Sequence, residues 1–295
     1  EYSSDKSGAF TTVDYIKRHN PLIYEIPENT GSFRYIVENG VLDNGIKEFR
    51  IIGYGSSATI TQFHKKMVGP LSGPNTKYLA TWGIGDEVVP ILSADFNGNT
   101  NATNYYLSNA NHFNIIRNAS AYNIIKSVLI DGNPLDPQDF RRPSRSYMSG
   151  YSVDINCPVN VYITDESNRT AYVNEQGFVI NNIPGLSFEI IGDSKLIFVS
   201  EGTSVHFNVS GYDSGKMNLG ITRYNDSLPT QTNVLQYIEI TSNTQISFDL
   251  SGSEGNPSGI PVSYDLNGNG NVVMTSPSKV LTFSEYYDGA AAFSP

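Results

Sequence analysis

The sequence predicts two architectures in series: an α/β segment over residues 1–130 and an all-β sandwich over 151–295, with a linker at 131–150 between them. Three observations carry that expectation. Ile115, Ala119, Tyr122, Ile125 and Leu129 recur at the spacing of one helix face, so a helix is expected from about Asn114. The stretch DGNPLDPQDFRRPSR, Asp131 to Arg145, carries three prolines and several charges and reads as a connector. Beyond it the apolar period becomes two. Val159, Val161 and Ile163 alternate with polar residues, as do Val205, Phe207 and Val209, then Leu219 and Ile221, then Ile246, Phe248 and Leu250.

Taken in order, Thr12 caps an expected short helix, VDYIKRH, with His19 at its end and Asn20-Pro21 as its stop. Pro21 to Glu48 is irregular, with turn signals at Asn39-Gly40 and Asn44-Gly45. Phe49 to Ile52 is a short buried strand ending at Gly53, Tyr78 to Trp82 a second, and Thr103 to Leu107 a third. In the β half, turn clusters at Asp165–Asn168, Asn181-Asn182, Gly192-Asp193, Gly211–Gly215 and Tyr224–Asp226 separate seven or eight expected strands. Two weak strands near Val262–Leu266 and Val272–Thr275 close the chain, completing the sandwich or trailing from it.

The chemistry concentrates between Trp82 and Leu129. Asp86 lies in a tight Gly-Asp-Glu-Val-Val-Pro turn, and His112 ends a polar loop ahead of the expected helix. Loops held by a rigid scaffold are where catalytic side chains collect. A carboxylate followed by an imidazole supplies two of the three members of a hydrolase triad. A helix N-terminus disfavours a cation, and so favours the neutral imidazole a general base needs. The bland alternatives are a turn aspartate and a solvated histidine, and Glu87 is the neighbouring carboxylate that only geometry can exclude.

The segments FRIIGYGSSATITQF, GDEVVPILSA and NHFNIIRNASAYNIIKSVL together resemble the last third of a lecithin:cholesterol acyltransferase-like lipase. The resemblance implies that residues 1–130 are the C-terminal part of an α/β-hydrolase sheet, with Asp86 as triad acid and His112 as base. It covers roughly Phe49 to Leu129. The sequence departs from that pattern in one respect: it contains no G-x-S-x-G nucleophile elbow. Gly53-Tyr54-Gly55-Ser56-Ser57 comes nearest, yet sits where the family has the turn before the acid. The nucleophilic serine is therefore expected upstream of Glu1, on an N-terminal part that pairs with this chain, and the chain alone is expected to be inert.

Other residues weigh less. Trp82, the sole tryptophan, abuts the acid turn and could wall an acyl pocket, although a core role is as well supported. His64, beside Lys65-Lys66, reads as solvated, and His206 as outward-facing on a strand. No histidine pair has metal-ligand spacing, so no metal and no cofactor are expected. Asp265-x-Asn267-x-Asn269-Gly270 imitates half of a calcium loop, but Ser276 occupies the place of the closing glutamate, which favours a structural turn. Cys157, the only cysteine, precludes an internal disulfide and reads as a small packed residue.

With 39% hydrophobic and 16% charged residues the chain has material for cores and does not read as disordered. Its net charge of −10 and the lack of any Lys/Arg run longer than two argue against nucleic acid and anionic membrane as partners. No apolar run approaches membrane-spanning length and no signal peptide is visible. The abundance of Tyr, Asn, Ser, Thr and Gly fits an extracellular or cell-surface setting, and Asn101, Asn118, Asn168, Asn208 and Asn225 each begin a glycosylation triplet. The expected function is therefore part of a secreted serine ester hydrolase, of lipase, phospholipase or acyltransferase type, acting on a lipid or other ester. The alternative is a non-catalytic sandwich whose tyrosines bind a polysaccharide or cell-surface ligand.

Overall fold

A computed structural model describes residues 49–55, 57–67, 76–95, 102–145, 147–156, 158–251, 260–277 and 279–288. The helix expected after Thr12, the turns before Phe49, His19 and Cys157 lie outside them. Strands hold 51% of the described residues and helical segments 12%. The α/β expectation is overturned: the described chain is sandwich-like and all-β in character. Among the described residues only β1 (Phe49–Tyr54) and β4 (Thr103–Ser108) run parallel, as a two-stranded sheet in register from Phe49 opposite Thr103 to Tyr54 opposite Ser108. Between them in sequence, β2 (Thr59–Met67) and β3 (Thr76–Gly83) form a separate antiparallel hairpin. A hairpin satisfies its own backbone groups locally, so the described residues do not build the run of parallel crossovers that defines a doubly wound sheet.

Helices are few. The one-turn α1 (Ile91–Ala94) follows Pro90, and α2 (Ala119–Leu129) is the one long helix among the described residues. The side chain of Asn118 caps α2 by accepting from the N–H groups of Ser120 and Ala121. The helix starts later than the apolar period suggests, because residues Ile115–Arg117 form a 3₁₀ turn instead.

Among the described residues the β half is a sandwich of thirteen strands, more than the seven or eight and two weak ones expected. Its first sheet has six strands in the order β17-β13-β12-β5-β10-β9, and its second seven in the order β16-β15-β14-β11-β6-β7-β8. The members are β5 (Gly150–Asn156), β6 (Val159–Asp165), β7 (Thr170–Val173), β8 (Val179–Asn181), β9 (Leu186–Ile191), β10 (Ser194–Ser200), β11 (Ser204–Gly211), β12 (Gly215–Tyr224), β13 (Gln231–Ile240), β14 (Gln245–Ser251), β15 (Val262–Asp265), β16 (Val273–Thr275) and β17 (Lys279–Thr282). The alternating residues face inward as expected: Val161, Ile163, Val205, Phe207, Val209, Leu219, Ile221, Phe248 and Leu250 form one core, in which the Phe207 and Phe248 rings stack at 4.5 Å. The two weak strands complete the seven-stranded sheet at its edge, as β15 and β16.

Strands β5 and β10 are buried at every residue, so they show no alternation. The reason is a third layer. Leu196, Phe198 and Tyr224, on the far side of the six-stranded sheet, share a core with Ile52, Ala80, Trp82, Ile84, Ile91 and Tyr106 of the preceding segment. A sheet covered on both faces loses its polar stripe. Residues 131–150, expected to be a connector, lie tied to this layer. Phe140 O accepts from the N–H of Tyr106, and the Arg142 guanidinium donates to Asp95 at 2.6 Å. His64 departs from its expected solvated position: it is buried and its ring meets that of Tyr287 at 5.1 Å.

Candidate functional site

The layer carrying Trp82 to Leu129 ends in two loops that close on each other at the carboxyl end of the parallel pair. The acid turn begins at Gly85, whose carbonyl accepts from Gly55 N–H just past β1. A Cβ on Gly85 would meet Val89 O at 2.4 Å and Thr59 Oγ1 at 2.7 Å, so only glycine lets the turn seat there. Asp86 then folds its side chain back on the turn. Its Oδ1 accepts from the N–H groups of Val88 (3.0 Å) and Val89 (2.6 Å), which fixes the carboxylate plane and leaves Oδ2 for another donor. Glu87 takes a left-handed conformation (φ 79°), with its N–H on Thr59 Oγ1 and its carboxylate accepting from the Asn111 amide.

The histidine loop is shaped by its own polar residues. Asn111 N–H donates to the Asn114 side chain while Asn114 N–H donates to the Asn111 side chain, a reciprocal pair that holds the turn bearing His112 and Phe113. The loop crosses the end of β1, where Ala110 O lies 2.3 Å from a Cβ built on Gly53. Bare glycine at Gly53 is therefore what admits it.

The two loops bring Asp86 and His112 together twice. His112 N–H donates to Asp86 O at 2.8 Å, and His112 Nδ1 stands 2.9 Å from Asp86 Oδ2. The geometry also separates the adjacent carboxylates, since Asp86 meets the ring and Glu87 meets Asn111. Asp86 is 14% exposed and His112 37% exposed at their side chains. With the carboxylate accepting the Nδ1 proton, a neutral ring keeps its free lone pair on Nε2. No hydroxyl or thiol among the described residues bonds that nitrogen, so the arrangement is an oriented base without a local proton donor.

Trp82 does not join this pair. It is 1% exposed and packs on Phe198 at 5.8 Å between the layers, with no hydrogen-bond acceptor for its indole N–H among the described residues. Asp265 is committed to its own loop: the N–H groups of Asn267, Asn269 and Gly270 all donate to it, which holds its carboxyl below the usual range. No group of three or more His, Cys, Asp or Glu suited to a metal ion occurs among the described residues.

A feature that sequence reasoning missed lies beside the pair. Helix α2 buries Ala121, Ile124 and Ser127 against the β1–β4 sheet, while Tyr122, Ile125 and Leu129 face out. Tyr122 is 61% exposed and Leu129 76%, and the loop ahead of them adds Phe113 at 78% and Ile116 at 85%. The Phe113 ring meets His112 edge-on at 5.9 Å, so this apolar surface reaches the imidazole itself. No family model, curated protein or solved structure matches the chain.

Proposed function

We propose that the chain supplies the acid and base of a serine ester hydrolase, with Asp86 as orienting acid and His112 as general base. The reading rests on the 2.9 Å contact between Asp86 Oδ2 and His112 Nδ1, which leaves Nε2 without a partner among the described residues. The nucleophile would come from an upstream part of the protein. A serine Oγ placed within hydrogen-bond reach of Nε2 gives up its proton to the imidazole as it attacks the ester carbonyl. The imidazolium then protonates the leaving alcohol, and water or an acceptor alcohol resolves the acyl-enzyme by the same steps in reverse order. Asp86 holds the tautomer throughout and stabilises the imidazolium.

The exposed Phe113, Ile116, Tyr122 and Leu129 support a covering part next to the pair, because several large apolar side chains left open on one short segment mark an interaction surface when they adjoin. The substrate class is a lipid or other carboxylic ester, with no cofactor called for by this chemistry. The experiment is esterase activity on p-nitrophenyl esters of short and long acyl chains. It uses the natural full-length protein and its His112→Ala and Asp86→Asn variants. Each variant is expected to lose activity by about a thousandfold or more. Activity retained by His112→Ala would remove this histidine from the mechanism and leave the pair a loop clamp.

A further inference from the structure

We infer that the solvent-facing side of the seven-stranded sheet binds a neutral carbohydrate chain, with Tyr162 and Tyr172 as stacking platform and Asn208 and Asp249 as its hydroxyl-reading rim. The inference is independent of the Asp86–His112 reading, because it rests on the opposite sheet of the sandwich.

The register puts these residues in two adjacent rows. Tyr172 lies opposite Tyr162, Tyr162 opposite Asn208, and Asn208 opposite Ser247. In the neighbouring row Thr170 lies opposite Thr164, Thr164 opposite His206, and His206 opposite Asp249. Their strand neighbours Ala171, Val161, Ile163, Phe207, Phe248 and Leu250 point into the core, so the rows themselves point outward. The two tyrosine rings stand 5.5 Å apart and 32° from coplanar, and Tyr162 is 43% exposed. Held as a partly overlapping pair on a rigid sheet, they offer an ordered aromatic face at little cost in conformational entropy.

The rim is held in place before any ligand arrives. His206 Nδ1 meets Asp249 Oδ1 at 2.7 Å, and its Nε2 meets Asn208 Oδ1 at 3.2 Å. The imidazole thus meets both neighbours, donating from one ring nitrogen to Asp249 and facing the Asn208 amide with the other, while the far end of that amide and Asp249 Oδ2 keep no partner among the described residues. An amide beside a carboxylate suits a sugar hydroxyl, which both donates and accepts.

Charge narrows the ligand. The outward positions of β7, β6, β11 and β14 hold Ser, Thr, Asn, Gln, Tyr, His206 and Asp249, and no Lys or Arg. On a chain of net charge −10 such a face repels nucleic acid and sulfated or phosphorylated polymers. Its central positions on β11 and β14 are polar, unlike the apolar centre that a protein partner buries, and Ile180 and Met274 lie only at the two ends of the row. An uncharged polyol with apolar ring faces fits what remains.

The test is native affinity electrophoresis of the full chain through gels containing dextran, soluble starch, hydroxyethyl cellulose, xylan or galactomannan. The chain is made in a host that adds no N-glycans, because Asn208-Val209-Ser210 is an acceptor triplet that would cover the platform. At least one polysaccharide is expected to retard the parent. Tyr162→Ala should weaken that retardation about tenfold or more, Tyr162→Phe should keep it, and Asn208→Ala should fall between. Tyr162→Thr, which restores strand propensity without a ring, should behave like Tyr162→Ala and so separates loss of stacking from loss of fold. Migration unaffected by all five gels would overturn the inference, and so would Tyr162→Thr retarded as strongly as the parent.

Discussion

Asp154→Asn is the perturbation that most directly tests how the third layer is held on the sandwich. Asp154 sits on β5 with no exposed surface, between Leu196 of β10 and Gly220 of β12. Tyr286, from the π-helical turn Ser284–Asp288, reaches its carboxyl by lying across Gly220, where a Cβ would stand 1.8 Å from the phenol oxygen. Burial pushes the Asp154 carboxyl from 3.8 up to about 8, against hydrogen bonds from Tyr286, Ser152 and the Ala80 N–H, and Oδ1 has no close partner. The titratable groups facing it from the packed elements are Tyr286 and Tyr287 of the π-helical turn and Tyr224 of β12, all pushed up by burial and therefore neutral. The folded protein thus keeps a proton that the unfolded chain releases near pH 4, so stability falls as pH rises from there to about 8 and levels off above. Between pH 6 and 8 this one group should cost roughly 2–3 kcal/mol, at about 1.4 kcal/mol per pH unit until the carboxyl begins to ionise. The amide cannot ionise, so Asp154→Asn should remove that slope even if its mismatch with the Ala80 N–H lowers stability at pH 6. Urea unfolding followed by the fluorescence of Trp82, the single tryptophan and itself buried between the layers, reads the effect directly. Other groups titrating in the window act on both proteins, so the difference curve isolates Asp154. Parallel curves for parent and variant from pH 6 to 8 would refute the reasoning.

Three further outcomes follow from the packing. Gly220→Ala forces Tyr286 off Asp154 and should cost about 1–3 kcal/mol in urea unfolding, whereas Gly192→Ala, with nothing within 4 Å of its Cβ, pays only for its left-handed backbone, about 1 kcal/mol. Arg142→Ala withdraws the cation from Asp95, which is fully buried and keeps the Tyr106 hydroxyl as a donor, and should destabilise by about 3 kcal/mol, with a value below about 1 kcal/mol speaking against a structural ion pair. Asn118→Ala removes the cap of α2 and should cost about 1 kcal/mol, while Asn118→Asp, which keeps the acceptor oxygen at the helix N-terminus, should hold stability to within a few tenths of that.

The β half was legible because its strands alternate over a core that each can reveal alone. Val205, Phe207 and Val209 face inward as their spacing requires, and so do Ile246, Phe248 and Leu250. Legibility fails where a second face is covered. Every residue of β5, among them Ser152, Asp154 and Asn156, is buried, and no local pattern announces that a hairpin from elsewhere in the sequence lies over them. The same contact hid β2. His64 followed by two lysines reads as a solvated run, but the hairpin packs His64 under Phe283 and Tyr287, more than 200 residues away.

Helix α2 shows why the α/β expectation failed while the pairing of Asp86 with His112 was still readable. Apolar periodicity reports that a stripe exists, and it is silent on what covers it. Here the sheet beneath has two strands among the described residues, and the small side chains of Ala121 and Ser127 let the helix settle on it with Ile124 between them. The broader stripe of Tyr122, Ile125 and Leu129 is left outward, where a wider parallel sheet with neighbouring helices would have covered it. The side chains that make the Asp86–His112 contact are held by near neighbours, although Ile84 and Ile91 anchor the acid turn in the core shared with the sandwich. The contact is set by glycines at Gly53 and Gly85 that admit two loops, and by Asn111 and Asn114 that shape one of them, all within 62 residues of sequence. Local turn chemistry written in the sequence thus fixes how an acid and a base face each other, whereas the number of strands behind them is decided by partners the sequence does not name.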